Sequence, residues 1–173
     1  GDLDMAMKKA RALYRVHTRV QGEIHQPSGA HAAGSRYAAN EVHALLWVHV
    51  TAFWCRVKNY ERLVKPLSAE QLDQFAREAQ RYALCFGIPL SMQPATWQEV
   101  EDYVASMTES DVLARTEEGL KIRRFLEGSI PVPLRGAIWN FLCVPLPARL
   151  QALMDQPTAT AKNRARDERM TKF

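Results

Sequence analysis

Apolar residues in this chain recur at intervals of three and four, and no segment alternates apolar and polar residues as a half-buried strand does. Between residues 4 and 21 the apolar or small positions are Ala6, Ala10, Leu13, Val16, His17 and Val20. This spacing places them on one side of a helix. Since no strand pattern and no Asn-Gly hairpin occur, the predicted fold class is all-α, a globular domain of about six to seven helices.

The most apolar segment lies between Asn40, a predicted N-cap, and Pro66. Apolar side chains occur there on nearly every side of the helix that the spacing predicts: Leu45, Leu46, Trp47, Val48, Val50, Phe53 and Trp54. A helix that is apolar all round is normally buried between neighbours. Residues 41–64 are therefore predicted to form a buried central helix.

Capping signals place the other helices. Ser68 with Gln71 and Thr96 with Glu99 are capping boxes that predict helix starts. Further helices are predicted at 110–126, 134–142 and 148–154, and 23–40 is predicted to be a long loop. We expect residues 1–154 to form one helical domain and the polar residues 155–173 to form a flexible tail.

Charge and composition exclude several classes of protein. The 173 residues carry a net charge of +4 and contain no run of about 18 apolar residues that could span a membrane. Basic residues are concentrated only after residue 155, so we expect no nucleic-acid partner. The first residues resemble no signal peptide, and we expect a cytoplasmic protein. Cys55, Cys85 and Cys143 form no Cys-x-x-Cys pair and are predicted to be small buried residues.

Common catalytic motifs are absent. The sequence has no Gly-x-Gly-x-x-Gly, Walker, Gly-x-Ser-x-Gly or His-Glu-x-x-His pattern. Glu23 with His25, and Glu41 with His43, lack the Glu-x-x-His spacing of helical di-iron sites.

Five histidines lie within the first 49 residues. His17 and His49 fall on apolar helix stripes, where an imidazole must either satisfy its hydrogen bonds or bind a ligand, because an unpaired buried polar group costs ~1–3 kcal/mol. Each is either a satisfied core histidine or a ligand of a metal or haem iron. His25 and His31, in the predicted loop, are interpreted as surface residues. His43, near the start of the predicted central helix, could face Trp47 and Val50 and is assigned little functional weight.

Arg36 and Tyr37 precede the predicted central helix at its positive end. Arg36 either pairs with a surface carboxylate or meets a carboxylate such as a haem propionate at a pocket mouth. Tyr37 either packs as a hydrophobic staple or lines that mouth. Tryptophans 47, 54, 97 and 139 are more typical of core positions than of a cofactor box.

Several of these segments together resemble a known family. They are His17–Gly22, Tyr37–Asn40 and Leu46–Thr51, followed in order by the segments at 60–62, 66–70, 94–96 and 103–104. Over residues 1–126 the chain is similar to the haem b oxygenases grouped with latex-clearing rubber oxygenase and the MpaB-type oxygenase of mycophenolic acid biosynthesis.

The resemblance implies a helical fold that holds iron in non-covalent haem b and uses O₂ to cleave a carbon–carbon double bond of an apolar, isoprenoid substrate. It implies that His17 is the proximal iron ligand and that His49 lies close to the haem pocket. The site residues expected on this basis are His49 and Arg36 in catalysis, and His17, Gln21, Arg36, Tyr37 and Trp47 at the cofactor. Gln21 stands where the family often has Arg, and relatives usually carry a further helical segment upstream.

Two other functions remain open at this stage. The chain is alternatively a non-catalytic binding or assembly domain that retains the scaffold, with a homo-oligomer or a partner chain supplying the additional helices. It is also compatible with a helical pocket that binds a small molecule without metal. A domain left with an exposed apolar face would be expected to bind a partner through it.

Overall fold

The computed structural model describes residues 2–155, without the side chains of residues 137 and 139–143. Seven α-helices and one two-stranded sheet account for the regular structure of this range, which confirms the all-α class. The helices are α1 Leu3–His17, α2 Val42–Leu63, α3 Ala69–Cys85, α4 Trp97–Glu109, α5 Glu117–Gly128, α6 Val132–Cys143 and α7 Ala148–Leu153. The strands are β1 Gln21–Glu23 and β2 Arg36–Ala38, and a 3₁₀ turn spans Leu90–Met92.

The two capping boxes are confirmed. The Ser68 hydroxyl accepts from the Gln71 amide while the Gln71 side chain accepts from the Ser68 amide, which satisfies two donors at the start of α3. At α4 the same exchange joins Thr96 and Glu99. Gly87, with φ 78°, follows the end of α3, because glycine adopts this left-handed conformation without steric cost.

The prediction that Asn40 caps the central helix is wrong. The Glu41 carboxylate accepts instead from the amides of His43, at 3.0 Å, and Ala44, at 2.8 Å, so that a full negative charge meets the positive end of α2. The Asn40 side chain points to another helix, where its Nδ2 donates to the Tyr14 carbonyl at 3.1 Å.

Burial of α2 is confined to one side, whereas the sequence predicted a helix buried all round. Leu46, Val50, Trp54 and Val57 are at most 8% exposed, and their spacing of three or four keeps them on one face. Val48, on the other side, is 64% exposed. The apolar composition of this helix therefore overstates its burial.

The predicted loop at 23–40 contains a strand that the sequence analysis missed. β1 and β2 pair antiparallel, with Gln21 opposite Ala38, Gly22 opposite Tyr37 and Glu23 opposite Arg36. Three residues per strand are too few for an alternating pattern to be recognised, and the two strands are separated by twelve residues. We call this pair the ribbon.

The described residues divide into two compact units. The first unit contains residues 2–27, 31–54 and 67–106, with α1, the ribbon, the first half of α2, α3 and α4. Its core includes Leu46, Val50, Ala83, Ile88 and Val104, each at most 3% exposed.

The second unit contains residues 28–30, 55–66 and 107–155. Within it the Arg149 guanidinium donates to the carbonyls of Thr108 and Ser110. Arg115 and Asp155 form an ion pair, in which the Arg115 Nη2 and Asp155 Oδ2 atoms are 2.8 Å apart. α5 begins at Glu117, behind its cap Thr116, and not at the predicted residue 110, while α6 and α7 confirm the last two predicted helices. The predicted tail lies outside the described residues from 156 onwards.

Among residues 2–155, no helix has both the length and the apolar character that crossing a membrane requires.

Candidate functional site

A cavity of about 340 Å³ lies in the first unit, where the C-terminal halves of α1 and α3 meet the start of α2. This volume is within the ~300–1,000 Å³ range of small-molecule sites. Its walls are Met7, Ala10, Arg11, Leu13, Tyr14 and His17 from α1, Asn40, Val42 and Leu45 from around the start of α2, and Leu84, Cys85, Phe86 and Gly87 from the end of α3. We call it the His17 cavity.

His17 is the last residue of α1 and contributes a half-buried imidazole to this wall. Its backbone carbonyl accepts from the Val20 amide at 2.9 Å, which closes the helix end. Within the part of the chain that the structure describes, no hydrogen bond occupies either ring nitrogen. The imidazole is therefore available to a ligand in the cavity.

Hydrogen bonds position the end of α1 in the cavity wall, because this helix buries little apolar surface. Ala10 is the one residue of α1 that is fully buried in the described structure, at 2% exposed. The Tyr14 carbonyl accepts both the Thr18 amide, at 3.0 Å, and the Asn40 Nδ2, at 3.1 Å. A further bond, from the Ala39 amide to the Val20 carbonyl, joins the two ends of the ribbon at 2.9 Å. These bonds fix the end of α1 beside the start of α2.

The lining is mostly apolar, and its one permanent charge is positive. Among the described residues that form the walls, Arg11 is the only Arg or Lys, and neither Asp nor Glu occurs. Phe86, Leu45 and Val42 form apolar surface close to the imidazole-bearing wall, while Leu13 and Leu84 are 41% and 50% exposed. The cavity is thus open to solvent along one side and apolar within.

His49 has a different environment, although it also lies in the first unit. Its ring is stacked on that of Tyr82, with centroids 6.0 Å apart, and tilted against Phe53 at 4.6 Å. The adjoining cavity, with Val50, Phe75, Gln93 and Trp97 among its walls, measures about 20 Å³, room for about one water. Such a space cannot accept a cofactor.

Aromatic contacts connect the two places. Tyr82 lies in the last turn of α3, four residues before Phe86, which follows the end of that helix, and their ring centroids are 4.9 Å apart. Phe86 lines the His17 cavity, and Tyr82 contacts His49. His49 is therefore separated from the cavity by two aromatic rings and does not line it.

The remaining predicted site residues lie elsewhere in the first unit. Gln21, Arg36 and Tyr37 are exposed residues of the ribbon, and Tyr37 covers Gly22, where an added Cβ would lie 2.7 Å from its hydroxyl. Trp47 is half-buried on α2, with its ring centroid 6.4 Å from that of Tyr103. Within residues 2–155, none of these four side chains lines the His17 cavity. Of the site residues predicted from the sequence, only His17 therefore lines this cavity in the described structure.

Sequence reasoning missed Arg11, Tyr14 and Asn40 as wall residues. A signal for the first two existed, because Met7, Arg11, Tyr14 and His17 follow one another at intervals of three and four and must share a side of α1. The contribution of Leu84–Gly87 carried no such signal, since it depends on α3 packing against α1.

Two groups in the described structure have clearly shifted acidities. Burial raises the pKa of the Cys55 thiol, so this thiol stays protonated to higher pH than a free one. Burial and, secondarily, the Glu41 carboxylate raise the pKa of the Tyr103 phenol. Neither group lines the His17 cavity. Cys55 and Cys85 are free thiols.

Comparison with protein families gives one result. The family model described as "ER-bound oxygenase mpaB/B'/Rubber oxygenase, catalytic domain" matches residues 1–173. No curated protein and no solved structure matches the chain.

Proposed function

This chain belongs to the family of mpaB/B′ and rubber oxygenase catalytic domains, and from that membership we propose that it is an oxygenase that holds haem b without a covalent bond in the His17 cavity. The observation that carries the proposal is one unpaired imidazole in a cavity of ligand size with apolar walls.

The residues present fit such a group. Haem iron takes a single imidazole as axial ligand, and His17 offers one. A bare metal ion needs several donors, and the described residues contain no group of three or more His, Cys, Asp or Glu side chains that could provide them. A metal ion that is already held by a macrocycle requires only one donor from the protein, and the His17 imidazole in the cavity wall supplies it.

Each wall would have a distinct part in this function. His17 would bind the iron, and the bonds through Asn40 and Ala39 would fix the end of the helix that carries it. Val42, Leu45 and Phe86 would exclude water from the bound macrocycle. Haem, when bound, supplies the O₂ chemistry that amino-acid side chains lack.

The substrate proposed is an apolar, isoprenoid-type chain. Cleavage of its C=C bond with one O₂ yields two carbonyl fragments, each with one oxygen atom, so no further oxidant or reductant is required. The apolar lining supports this class, because an apolar chain gains ~25 cal/mol for each Å² that it buries.

The test is an absorption spectrum of the natively purified protein, followed by haem titration. We expect a Soret band that disappears in His17→Ala and persists in His43→Ala, a control on an exposed histidine of α2. A protein that shows no Soret band after titration would disprove the cofactor. Product analysis with a polyprenol under O₂ then tests the substrate class.

A second candidate is a non-catalytic assembly domain that associates with its own copy through α1. It is favoured by the exposed apolar side chains of that helix, among them Leu3 at 67%, Met5 at 54% and Val16 at 58%. Light scattering separates the two, because a protein that stays monomeric at high concentration contradicts self-association. Val16→Lys should dissociate any dimer.

A further inference from the structure

Arg11 combines two properties that are unusual for a surface arginine. Its side chain forms part of the wall of the His17 cavity, six residues before His17 on the same helix. Within residues 2–155, no carboxylate, carbonyl or side-chain acceptor binds its guanidinium. Arginines 115, 123, 124 and 149 of the described chain, in contrast, each form an ion pair with a carboxylate. Arg11 is therefore a free cation directed at an apolar cavity.

The surroundings of Arg11 reinforce its charge. The segment from Met5 to Arg19, contrary to the expectation that basic residues concentrate only after residue 155, carries five Lys or Arg residues and neither Asp nor Glu. Glu41 is an acidic residue that lies in the sequence between two wall residues, Asn40 and Val42. Its two carboxylate oxygens accept from the His43 and Ala44 amides. A carboxylate that caps a helix in this way already has its charge partly compensated. Glu41 therefore offers Arg11 little compensating charge.

The helix ends at the cavity compensate the Arg11 charge only in part. The cavity lies at the C-terminal ends of α1 and α3, where free carbonyls would attract a cation. Carbonyls at both ends are bonded, however: the His17 carbonyl accepts from Val20, and that of Ala83, in the last turn of α3, accepts from both Phe86 and Ile88. A full guanidinium charge exceeds what such satisfied ends contribute.

We infer that the ligand of this cavity is amphipathic and carries a carboxylate, and that Arg11 binds this carboxylate while the apolar body enters between α1, α2 and α3. The guanidinium offers parallel N–H donors that match the two carboxylate oxygens. Arg36, the residue that the sequence suggested for this part, is exposed on the ribbon and does not line the cavity. The inference rests on the proposed function, since it concerns the same cavity.

A carboxylate of this kind has two sources, a porphyrin propionate or the end of an apolar substrate. Two ligand pairs distinguish them: haem b against its dimethyl ester, and a sixteen-carbon fatty acid against the corresponding alcohol. Each pair keeps the apolar body and removes the negative charge. Binding is measured for the full chain at low and high ionic strength, by absorbance for the porphyrins and by calorimetry for the lipids.

The variants are Arg11→Gln and the matched control Arg15→Gln. Arg15 lies one turn further along α1 and is likewise exposed, but it does not line the cavity. Loss of an exposed charge-assisted bond should weaken binding of the carboxylate ligand about tenfold at low salt in Arg11→Gln, and less at 1 M salt, where the screening length is about 3 Å. The uncharged member of the pair should bind both variants as it binds the wild type.

The outcomes separate the sources and the two proposals. Selective loss for haem assigns the propionate, and selective loss for the fatty acid assigns the substrate. Equal binding of every ligand to Arg11→Gln and wild type, or an equal loss in Arg15→Gln, overturns the inference and leaves the oxygenase proposal intact. A chain that binds the acid through Arg11 but not haem supports the inference and contradicts the cofactor. Binding of neither carboxylate ligand overturns both.

Discussion

His17 and His49 both lie on apolar stripes of neighbouring helices, yet their surroundings differ. His17 faces a cavity of about 340 Å³ and has no partner for its ring within residues 2–155, whereas His49 is packed between Tyr82 and Phe53 beside a space of about 20 Å³. The first arrangement leaves room for a ligand, and the second fills that room with aromatic rings. An imidazole in an apolar wall is thus informative about ligand binding only when the space in front of it is known.

The largest expected change in the free energy of unfolding concerns the aromatic cluster around His49. Phe53→Ala removes a ring in contact with His49, Phe75 and Tyr82, and we expect the free energy of unfolding to fall by about 3 kcal/mol. Leu13→Ala, in the wall of the His17 cavity and 41% exposed, should cost less than about 1 kcal/mol. Urea unfolding followed by tryptophan fluorescence measures both. Equal losses would show that the two regions are packed alike.

Replacement of His49 or of His17 by alanine should affect different properties, protein stability in the first case and haem binding in the second. His49→Ala is expected to lower the free energy of unfolding by about 1–2 kcal/mol, because the ring is stacked, and to leave the axial ligand in place. His17→Ala should change stability by less than about 0.5 kcal/mol and abolish haem binding. Thermal unfolding and haem titration of the same samples give both quantities. Haem binding lost in His49→Ala but kept in His17→Ala would reverse the assignment.

Asn40→Asp tests whether the hydrogen bond from Asn40 to the Tyr14 carbonyl restrains α1 beside the start of α2. The aspartate keeps the size of the side chain but cannot donate to the Tyr14 carbonyl when ionised, so we expect a loss of about 1 kcal/mol. Amide hydrogen exchange should accelerate in α1 and not in α3. Asn59→Asp is the control, because Asn59 donates to the Cys55 carbonyl and accepts from the Arg62 guanidinium, both on its own helix. Unchanged exchange in α1 would mean that the bond does not restrain it.

The smallest effect concerns two thiols. Burial raises the pKa of Cys55, so less thiolate is present at pH 8, and its alkylation by iodoacetamide should be several-fold slower than that of an unhindered cysteine and should still increase above pH 9. Cys85 lines the His17 cavity, and a bound ligand should protect it. Peptide mass spectrometry resolves the two sites. Protection of Cys55 in place of Cys85 would locate the ligand elsewhere.

The sequence predicted those features that depend on local chemistry. Capping by Ser68 and Thr96 was predictable because the hydrogen bonds lie within four residues. Asn40 was misassigned because a good N-cap residue also bonds well to a distant carbonyl, and Glu41 competed successfully for the helix start. The ribbon was missed because its pairing joins short segments, where backbone bonds matter more than side-chain pattern.

For the candidate site, the sequence identified the helix stripe of His17 but not its neighbours. Arg11 was assigned no part, although its spacing from His17 fixes the shared side of α1. Arg36 and Tyr37 were placed near the cofactor because they precede α2, yet both are exposed residues of the ribbon and neither lines the His17 cavity. The end of α3 enters the cavity through tertiary packing, which no local pattern reveals.

The double hydrogen bond at the Tyr14 carbonyl has a thermodynamic consequence. The Asn40–Tyr14 bond ties α1 to the start of α2, and α1 buries one small residue fully, so its separation from the other helices uncovers little apolar surface. Heat capacity and denaturant sensitivity both scale with newly exposed surface. Opening of α1 should therefore proceed with a small heat-capacity change and respond weakly to urea, in contrast to unfolding of the α2–α3 core. A ligand can then enter the cavity through a local fluctuation that leaves the rest of this unit folded.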